Sequence, residues 1–353
     1  MKPILACMLS VNGLTLTEDE KSLLSKANPL GVTLFKRNIS DKEQVKALTN
    51  SIKSVIGRED VLIAVDQEGG RVCRFSEPNW KKYLSQHALG SISENQQEEF
   101  IRLHGALIAH DLKELGVNLN FAPVLDVSYS DTTDALRSRI FSGDEKQVAL
   151  NGKTLLDAYQ QNGICPCVKH LPGHGRAVVD PHLHLPIIMQ SLKELEKDFY
   201  PFQFVANEAV AGMTAHIVIS DIDEKPVTLS KKAIDEIIRK RIGFDGFLFS
   251  DAIDMKALAG SLTERVQGCL SAGCDAVCYC FGVLDEMKQV VEACFELSDL
   301  AYERFSKIRK IIEKPVLTLD IKTAYERYLK LGLKARELVC DYDAVEILHQ
   351  IKK

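Results

Sequence analysis

The chain has 353 residues, of which 46% are hydrophobic and 26% are charged, and its formal net charge is -5. These values are typical of a folded globular protein, and the length suits one large α/β barrel or two ordinary domains. Because neither sign of charge forms a long run, the sequence offers no electrostatic surface for nucleic acid or for an anionic membrane.

The N-terminal apolar stretch is too short to cross a membrane, and no small-residue cleavage site follows it. The ten cysteines contain no CxxC pair, which argues against a zinc knuckle or a thioredoxin-like site. We interpret them as small buried hydrophobic residues in a reducing compartment. The sequence therefore predicts a cytoplasmic protein.

Short apolar runs alternate with longer amphipathic runs, which is the pattern of repeated βαβ units. The runs predicted as strands are 4–9, 31–35, 61–66, 118–123, 164–170, 212–217, 246–251 and 275–280. Helical patterns fall at about 40–55, 94–115, 145–161, 191–211, 230–241 and 262–272. Eight strands with intervening helices predict a (β/α)8 TIM barrel. A doubly wound sheet is the alternative, and it has less support because no GxGxxG or GxxxxGK[ST] motif follows a strand.

From about residue 297 the pattern becomes purely helical and charged. No flexible linker or repeat separates this part from the rest of the chain. We therefore expect these helices to pack on the outside of the barrel, so that residues 1–353 form a single catalytic domain. We also expect a monomer.

In TIM barrels the chemistry lies at the C-terminal ends of the strands. Polar residues are concentrated at those ends of the predicted strands in this chain. They are Asp66, Asn120, Asp126, Lys169, His170, His216 and Asp251. This distribution is the one that an active barrel enzyme would have.

The segment KHLPGHGRAVVDPHLHLP contains four histidines and has three interpretations: a zinc site, a solvated loop or a catalytic loop. His170 and His174 are four residues apart, but the prolines and glycines around them disfavour the helix that a zinc pair at this spacing needs. His182 and His184 would point the same way in an extended segment, which leaves zinc open.

The catalytic interpretation explains more of this loop. Lys169 and His170 end the fifth strand, so the loop would pass over the mouth of the barrel. Asp180 could fix the tautomer of His182 and raise the pKa of its ring toward the range of an acid/base catalyst. His182 is therefore the leading candidate for the acid/base, whereas His174 has a structural alternative in which its ring nitrogens tie the loop down.

The segment DGFLFSDAIDM ends the seventh strand with Asp251. A carboxylate at this position could be a nucleophile, a base or a metal ligand. The alternative is a helix N-cap immediately before Ala252. Asp254 is the competing carboxylate, and we expect it to face away along the start of that helix.

Two further segments carry charged candidates. In VDQEGGRVCRF, Asp66 ends the third strand, two glycines permit a tight turn and Arg74 follows; the alternative is a turn with a structural ion pair. In LRSRIFSGD, Arg139 lies in a loop after the fourth strand, which alone is a weak signal.

Taken together, these residues resemble glycoside hydrolase family 3, and specifically its short, single-domain branch of bacterial β-N-acetylglucosaminidases. The resemblance covers nearly the whole chain. The matching segments are GVTLFKRNIS, AVDQEGGRVCRF, GVNLNFAPVLDV, RIFSGD, KHLPGHGRAVVDPHLHLP, MTAHI and FSDAIDMKAL. The combination KHxPGHG followed by DxH is specific to this branch.

The resemblance implies a role for each candidate. Asp251 would be the nucleophile, His182 the acid/base and Asp180 its partner. The sugar would be bound by Asp66, Arg74, Arg139, Lys169 and His170. No metal or cofactor is implied. The chain departs from the family pattern at Pro181, Ile140 and Ala252, where the family usually has Ser, Ser and Asp.

The implied reaction is retaining hydrolysis through a covalent glycosyl-aspartate intermediate. The implied substrate is a terminal β-linked N-acetylglucosamine (GlcNAc) on a peptidoglycan fragment, such as GlcNAc-1,6-anhydro-MurNAc with or without its peptide, and the implied pathway is cell-wall recycling. Three alternatives stay open: a phosphorolytic N-acetylglucosaminidase, an inactive barrel that binds sugar as a sensor, and a metal-dependent barrel hydrolase.

Overall fold

A computed structural model describes residues 2–178 and 185–338. Its eight main strands are β1 (Leu5–Leu9), β2 (Pro29–Leu34), β3 (Leu62–Val65), β4 (Leu119–Asn120), β5 (Cys165–Leu171), β6 (Ala211–Thr214), β7 (Phe247–Ala252) and β8 (Ala276–Cys278). Each strand pairs in parallel with its neighbours in chain order, and β8 pairs with β1 to close the barrel. The predicted TIM barrel is confirmed, and the doubly wound alternative is wrong.

Helices surround the barrel, and several begin at the capping residues that the sequence indicates, such as Asp41 and Ser261. The α-helices are Glu18–Ala27, Lys42–Ile56, Gln86–Gly90, Glu94–Glu114, Asp134–Arg137, Glu145–Gln161, Glu196–Val205, Lys231–Ala233, Leu262–Ala272, Leu284–Ala293, Asp299–Ile312 and Ile321–Gly332. A π-helix, Ile234–Arg241, continues the helix that begins at Lys231, and short 3-10 helices span Lys36–Asn38 and Val227–Leu229.

The helix predicted at about 191–211 is shorter than expected. Its first residues form a turn in which the Glu194 carboxylate accepts a hydrogen bond from the Ser191 backbone N–H, and the helix spans only Glu196–Val205. At the other end the chain must return to the barrel, because Ala211 already pairs with β5 and β7. Barrel pairing therefore ends the helical pattern early.

Two helices after residue 297 pack on the rest of the chain, and one of them covers the N-terminal end of the barrel. Phe305, on helix Asp299–Ile312, packs with the inward-facing side chains of the strands, and its ring lies 6.4 Å from that of Phe247. Helix Ile321–Gly332 packs against Glu94–Glu114, where Tyr328 lies 5.0 Å from the ring of Phe100. The expectation of one domain over residues 1–353 stays a prediction.

Two small two-stranded sheets lie at the C-terminal end of the barrel. Strands Gln67–Gly69 and Val72–Cys73 form an antiparallel hairpin after β3, and Ile187–Ile188 pairs with Val218–Ile219. Seven of the nine cysteines in the described residues are buried, in agreement with their interpretation as core residues. Over the same residues, no helix is both long enough and apolar enough to cross a membrane.

Candidate active site

Lys169, on β5, joins two carboxylates at the C-terminal end of the barrel. Its Nζ lies 2.9 Å from Oδ1 of Asp66 and 2.7 Å from Oε1 of Glu68, and only 3% of its side chain is exposed. Arg74 approaches the other carboxylate oxygen of Asp66 at 3.4 Å. Burial raises the pKa of Asp66, but Lys169 and Arg74 outweigh that effect and hold it below its ordinary value.

Glu68 completes this group and was missed in the sequence. Its two oxygens accept hydrogen bonds from Nε and Nη2 of Arg139, both at 2.8 Å, and its side chain is 1% exposed. Burial raises the pKa of Glu68, but Arg139 and Lys169 outweigh it and hold the pKa far below its usual range. Asp66, Glu68, Arg74, Arg139 and Lys169 therefore form one connected set of charges, called the ion cluster below.

A period of two could have revealed Glu68, because alternate residues of an extended segment point to the same side. Asp66 and Glu68 are two apart, and both point to Lys169. The turn that follows is the predicted one: Gly69 and Gly70 have φ values of 100° and 60°. These are left-handed conformations that glycine adopts without strain, and they return the chain so that Arg74 reaches Asp66.

His170 is oriented by a buried carboxylate. Its Nδ1 lies 2.8 Å from Oδ2 of Asp126, so Nδ1 donates and the lone pair of Nε2 faces Nη2 of Arg139 at 3.4 Å. Burial raises the pKa of Asp126, but His170 and the hydrogen bonds from the loop keep it lowered. Asp126 thus holds the His170 ring against Arg139 of the ion cluster.

The same carboxylate anchors the histidine loop through His174. The backbone N–H of His174 donates to Oδ1 of Asp126 at 2.7 Å, whereas its ring nitrogens have no hydrogen-bond partner among the described residues. The ring lies 5.6 Å from that of His170, and burial together with that ring lowers its pKa to about 4. Within the described residues, the loop is therefore tied down by the backbone of His174 rather than by its ring nitrogens.

Asp251 lies at the end of β7, and it is not a helix N-cap. Its backbone N–H donates to Oγ1 of Thr214 at 3.4 Å, and its Oδ1 accepts from the N–H of Ala252 at 2.7 Å. Turns follow up to residue 260, and the next helix begins at Leu262. The expectation for Asp254 is also wrong, because without that helix its Oδ2 turns back and accepts from the N–H of Cys280 at 3.2 Å.

The ion cluster and Asp251 face the same end of the barrel. Burial raises the pKa of the Cys280 thiol, just after β8, and the carboxylates of Asp254, Asp66 and Asp251 raise it further. The strands of the closed barrel are parallel, so their C-terminal ends lie together; Asp66 follows β3, and Lys169 and Asp251 lie near the ends of β5 and β7. The predicted candidates on β3, β5 and β7 are therefore brought together at one mouth.

Asp180 and His182 lie outside the described residues, so their pairing stays a prediction. The chain on either side of them is anchored beside the mouth. Before them, Nε of Arg176 lies 2.7 Å from Oδ2 of Asp198, with its guanidinium 4.2 Å from the ring centre of Tyr129. After them, the short strand Ile187–Ile188 pairs with Val218–Ile219, which follows β6 in the chain.

Two of the departures from the family pattern have a structural consequence. Ile140 is fully buried and packs with Val124 and Leu136, so apolar packing replaces the serine hydroxyl next to Arg139. Ala252 contributes its backbone, since its N–H binds Asp251 and its carbonyl accepts from His216.

Across residues 2–178 and 185–338, no group of three His, Cys, Asp or Glu side chains is placed to hold a metal ion.

Comparisons with known proteins agree with this arrangement. The family model of the glycosyl hydrolase family 3 N-terminal domain matches residues 5–311. A β-hexosaminidase of Bordetella avium is 35% identical over 280 residues, which are 77% of this chain and 79% of the relative. A β-hexosaminidase of Pseudomonas aeruginosa is 34% identical over 277 residues, with coverage of 77% and 81%.

Among solved structures, NagZ from Neisseria gonorrhoeae in complex with N-trifluoroacetyl-D-glucosamine is similar with a TM-score of 0.84 and 31% identity, covering 94% of this chain and 98% of that one. A family 3 β-N-acetylglucosaminidase from Paenibacillus is similar with a TM-score of 0.83 and 25% identity, covering 93% and 67%. This chain therefore belongs to glycoside hydrolase family 3 and is a β-N-acetylhexosaminidase.

Proposed function

We propose that the protein is a retaining β-N-acetylglucosaminidase of cytoplasmic cell-wall recycling. Its substrates are peptidoglycan fragments with a terminal β-linked GlcNAc, such as GlcNAc-1,6-anhydro-MurNAc with or without its peptide. The observation that carries the proposal is the position of Asp251 at the C-terminal end of β7, at the same barrel mouth as the ion cluster. The N-trifluoroacetyl-D-glucosamine complex of the Neisseria relative supports GlcNAc as the sugar.

The ion cluster binds and orients the sugar in this proposal. The carboxylate of Asp66 accepts hydrogen bonds from two sugar hydroxyls, while Arg74, Lys169 and Arg139 donate to hydroxyls and to the acetamide, with His170 beside them. Hydrogen bonds to charged groups are stronger than those between neutral groups, and they set direction as well as affinity. The cluster thereby fixes the anomeric carbon in front of Asp251.

The chemical step begins when a carboxylate oxygen of Asp251 attacks the anomeric carbon. The bond to the leaving oxygen breaks, and that oxygen takes a proton from His182, whose ring Asp180 orients. The resulting neutral histidine then removes a proton from water, which attacks the same carbon and releases Asp251. Two inversions at one carbon retain the β configuration.

A histidine serves this second step without electrostatic conflict. A carboxylate acid/base becomes an anion after it has donated its proton, and it would then repel a second carboxylate across the mouth. Deprotonated histidine carries no charge. It can therefore act close to Asp66 and Asp251 in both steps.

Trapping the intermediate tests the proposal. A 5-fluoro GlcNAc donor should inactivate the enzyme, and peptide mapping should find the sugar on Asp251. Asp251→Ala should lower turnover of a chromogenic β-GlcNAc glycoside by several orders of magnitude, because the covalent intermediate cannot form. Asp254→Ala is the matched control and should remain active.

The same chromogenic assay separates the remaining alternatives. Activity should survive a chelator, and adding phosphate should not divert the product to a sugar phosphate. Label on Asp254, or full activity of Asp251→Ala, would refute the nucleophile. Loss of all activity with chelator would refute the metal-free mechanism.

A further inference from the structure

A chain of hydrogen bonds runs from one side of Asp251 to the other through three buried side chains. The Asp251 backbone N–H lies 3.4 Å from Oγ1 of Thr214, which lies 2.9 Å from Oγ1 of Thr228. Oγ1 of Thr228 lies 2.8 Å from Nδ1 of His216, and Nε2 of His216 lies 2.9 Å from the carbonyl oxygen of Ala252. We call Thr214, Thr228 and His216 the relay.

The direction of donation along the relay follows from its two ends. A carbonyl oxygen only accepts, so Nε2 of His216 donates to Ala252. In the neutral ring Nδ1 then accepts, and the hydroxyl of Thr228 is its donor. Thr228 in turn accepts from Thr214, and Thr214 accepts from the N–H of Asp251. The Thr228 hydroxyl also lies 3.1 Å from the carbonyl oxygen of Ala215, but its contact with Nδ1 of His216 is shorter, at 2.8 Å.

The relay is shielded from solvent. Thr214, Thr228 and His216 each have no exposed surface. Water cannot replace a bond lost inside it, so removing one member leaves its neighbours unsatisfied at full cost. Thr214 ends β6, His216 lies just after it and Thr228 lies in the 3-10 helix Val227–Leu229, whereas Asp251 is carried by β7. The relay thus fixes the end of β7 from outside.

We infer that His216, together with Thr228, is a positioning residue that sets the aim of Asp251 by holding the backbone on both sides of it. This inference rests on the proposed role of Asp251 as the nucleophile. The relay acts where β7 ends: the Ile253 N–H makes a hydrogen bond to the carbonyl oxygen of Cys278 on β8, and turns rather than a helix follow. A displacement of about 1 Å at a reacting group costs roughly 10²-fold in rate.

Thr228→Val and Thr228→Ser test the relay as a pair. Valine has the shape of threonine but no hydroxyl, whereas serine keeps the hydroxyl. For Thr228→Val, kcat should fall by roughly 10- to 100-fold with KM nearly unchanged, because the sugar still binds to the ion cluster. Thr228→Ser should recover most of the loss. His216→Gln, which can still donate to Ala252, should retain more activity than His216→Ala.

The decisive measurement is the rate at which a 5-fluoro GlcNAc donor labels Asp251. This rate reports the attack itself, and it should fall in Thr228→Val in parallel with kcat while the affinity for GlcNAc stays the same. Thr49→Val is the matched control, since Thr49 is a buried hydroxyl that donates to Leu115 O at 2.8 Å far from the mouth. It should lower the melting temperature without slowing the labelling.

The outcomes separate this inference from the proposed function. If the wild-type enzyme is not labelled on Asp251, the proposed nucleophile is wrong. If the wild-type enzyme is labelled there, and folded Thr228→Val and His216→Ala are labelled equally fast, only the relay is refuted. A rise in KM with kcat unchanged would also refute it, because that pattern reports lost sugar binding rather than lost aim.

Discussion

Glu68 offers the sharpest test of the ion cluster, through the substitution Glu68→Gln. Glutamine keeps the shape of the side chain and removes its charge. Arg139 then loses its charged partner and Lys169 keeps only Asp66, while 12% and 3% of their side chains are exposed. Water therefore cannot compensate for the missing charge.

The expected loss of stability follows from the burial of these groups. Removing one partner of a buried ion pair costs about 3–5 kcal/mol, and we take the lower value because glutamine retains one acceptor oxygen. With about 2 °C per kcal/mol for a chain of this size, the melting temperature should fall by roughly 6 °C. KM should rise as well, because Lys169 and Arg139 lose the group that orients them.

The pH dependence of this loss has a defined sign. The pKa of Glu68 is lowered in the folded protein, so its contribution to stability is complete above the unfolded pKa of about 4.3. That contribution is lost as the pH falls toward the folded pKa. The difference between the wild-type protein and Glu68→Gln should be full at pH 7 and should narrow below about pH 4.

Thermal unfolding of both proteins at pH 7 and at pH 3.5 measures the effect. Glu99→Gln is the matched control, because Glu99 binds Nε and Nη2 of Arg327 in the same two-bond geometry, at 2.7 and 2.6 Å, on the surface. Solvent screening should leave its melting temperature nearly unchanged. A Glu68→Gln protein that melts within about 1 °C of wild type, or an equal loss in Glu99→Gln, would refute the reasoning.

Three further predictions concern the sugar site, the acid/base and acid stability. Asp66→Asn should weaken both binding and turnover of β-GlcNAc glycosides while preserving the fold by circular dichroism, and unchanged kinetics would contradict it. His182→Ala should slow the hydrolysis of substrates with alkyl or sugar leaving groups by roughly 10²–10⁴-fold, and that of aryl substrates less. Azide should accelerate the second step and give a β-glycosyl azide. Equal losses on all substrates, with no effect of azide, would make His182 structural. The pKa values of buried His104 and His174 are lowered from 6.5 to about 4, so stability should fall as the pH drops from about 6.5 to 4, and His104→Asn should flatten that decline in melting temperature.

The strands were predictable because each is a short buried run between polar segments, and β-strands in a barrel must be apolar on both faces. The lengths of the strands were less predictable, because a strand ends where its hydrogen bonds to the neighbouring strands end, and composition does not reveal that point. The whole run at 212–217 was predicted as a strand, but β6 ends at Thr214. His216 then turns to Thr228, twelve residues on, and this contact has no signature in the sequence.

The side chains at the mouth were predictable in kind but not in partnership. Asp251 and Lys169 stand at strand ends, and the fold alone places strand ends at the active face. Which charges pair depends on contacts between residues 71 or 103 positions apart, such as Arg139 with Glu68 and Lys169 with Asp66. Asp254 shows the same limit, because its direction depends on a helix that does not form after Ala252.

The pairing within the ion cluster explains how charged side chains can serve a neutral sugar. An isolated buried ion would need its own counter-ion or water before a hydroxyl could bind to it. Asp66 and Glu68 are already matched by Lys169, Arg74 and Arg139, so their charges are compensated before the sugar arrives. In the proposed function, the sugar hydroxyls would meet donors and acceptors whose positions are fixed, and little reorganisation would accompany binding. Glu68 has almost no exposed surface to offer a ligand, so in the proposed function it would act on the sugar through Lys169 and Arg139 rather than by contact.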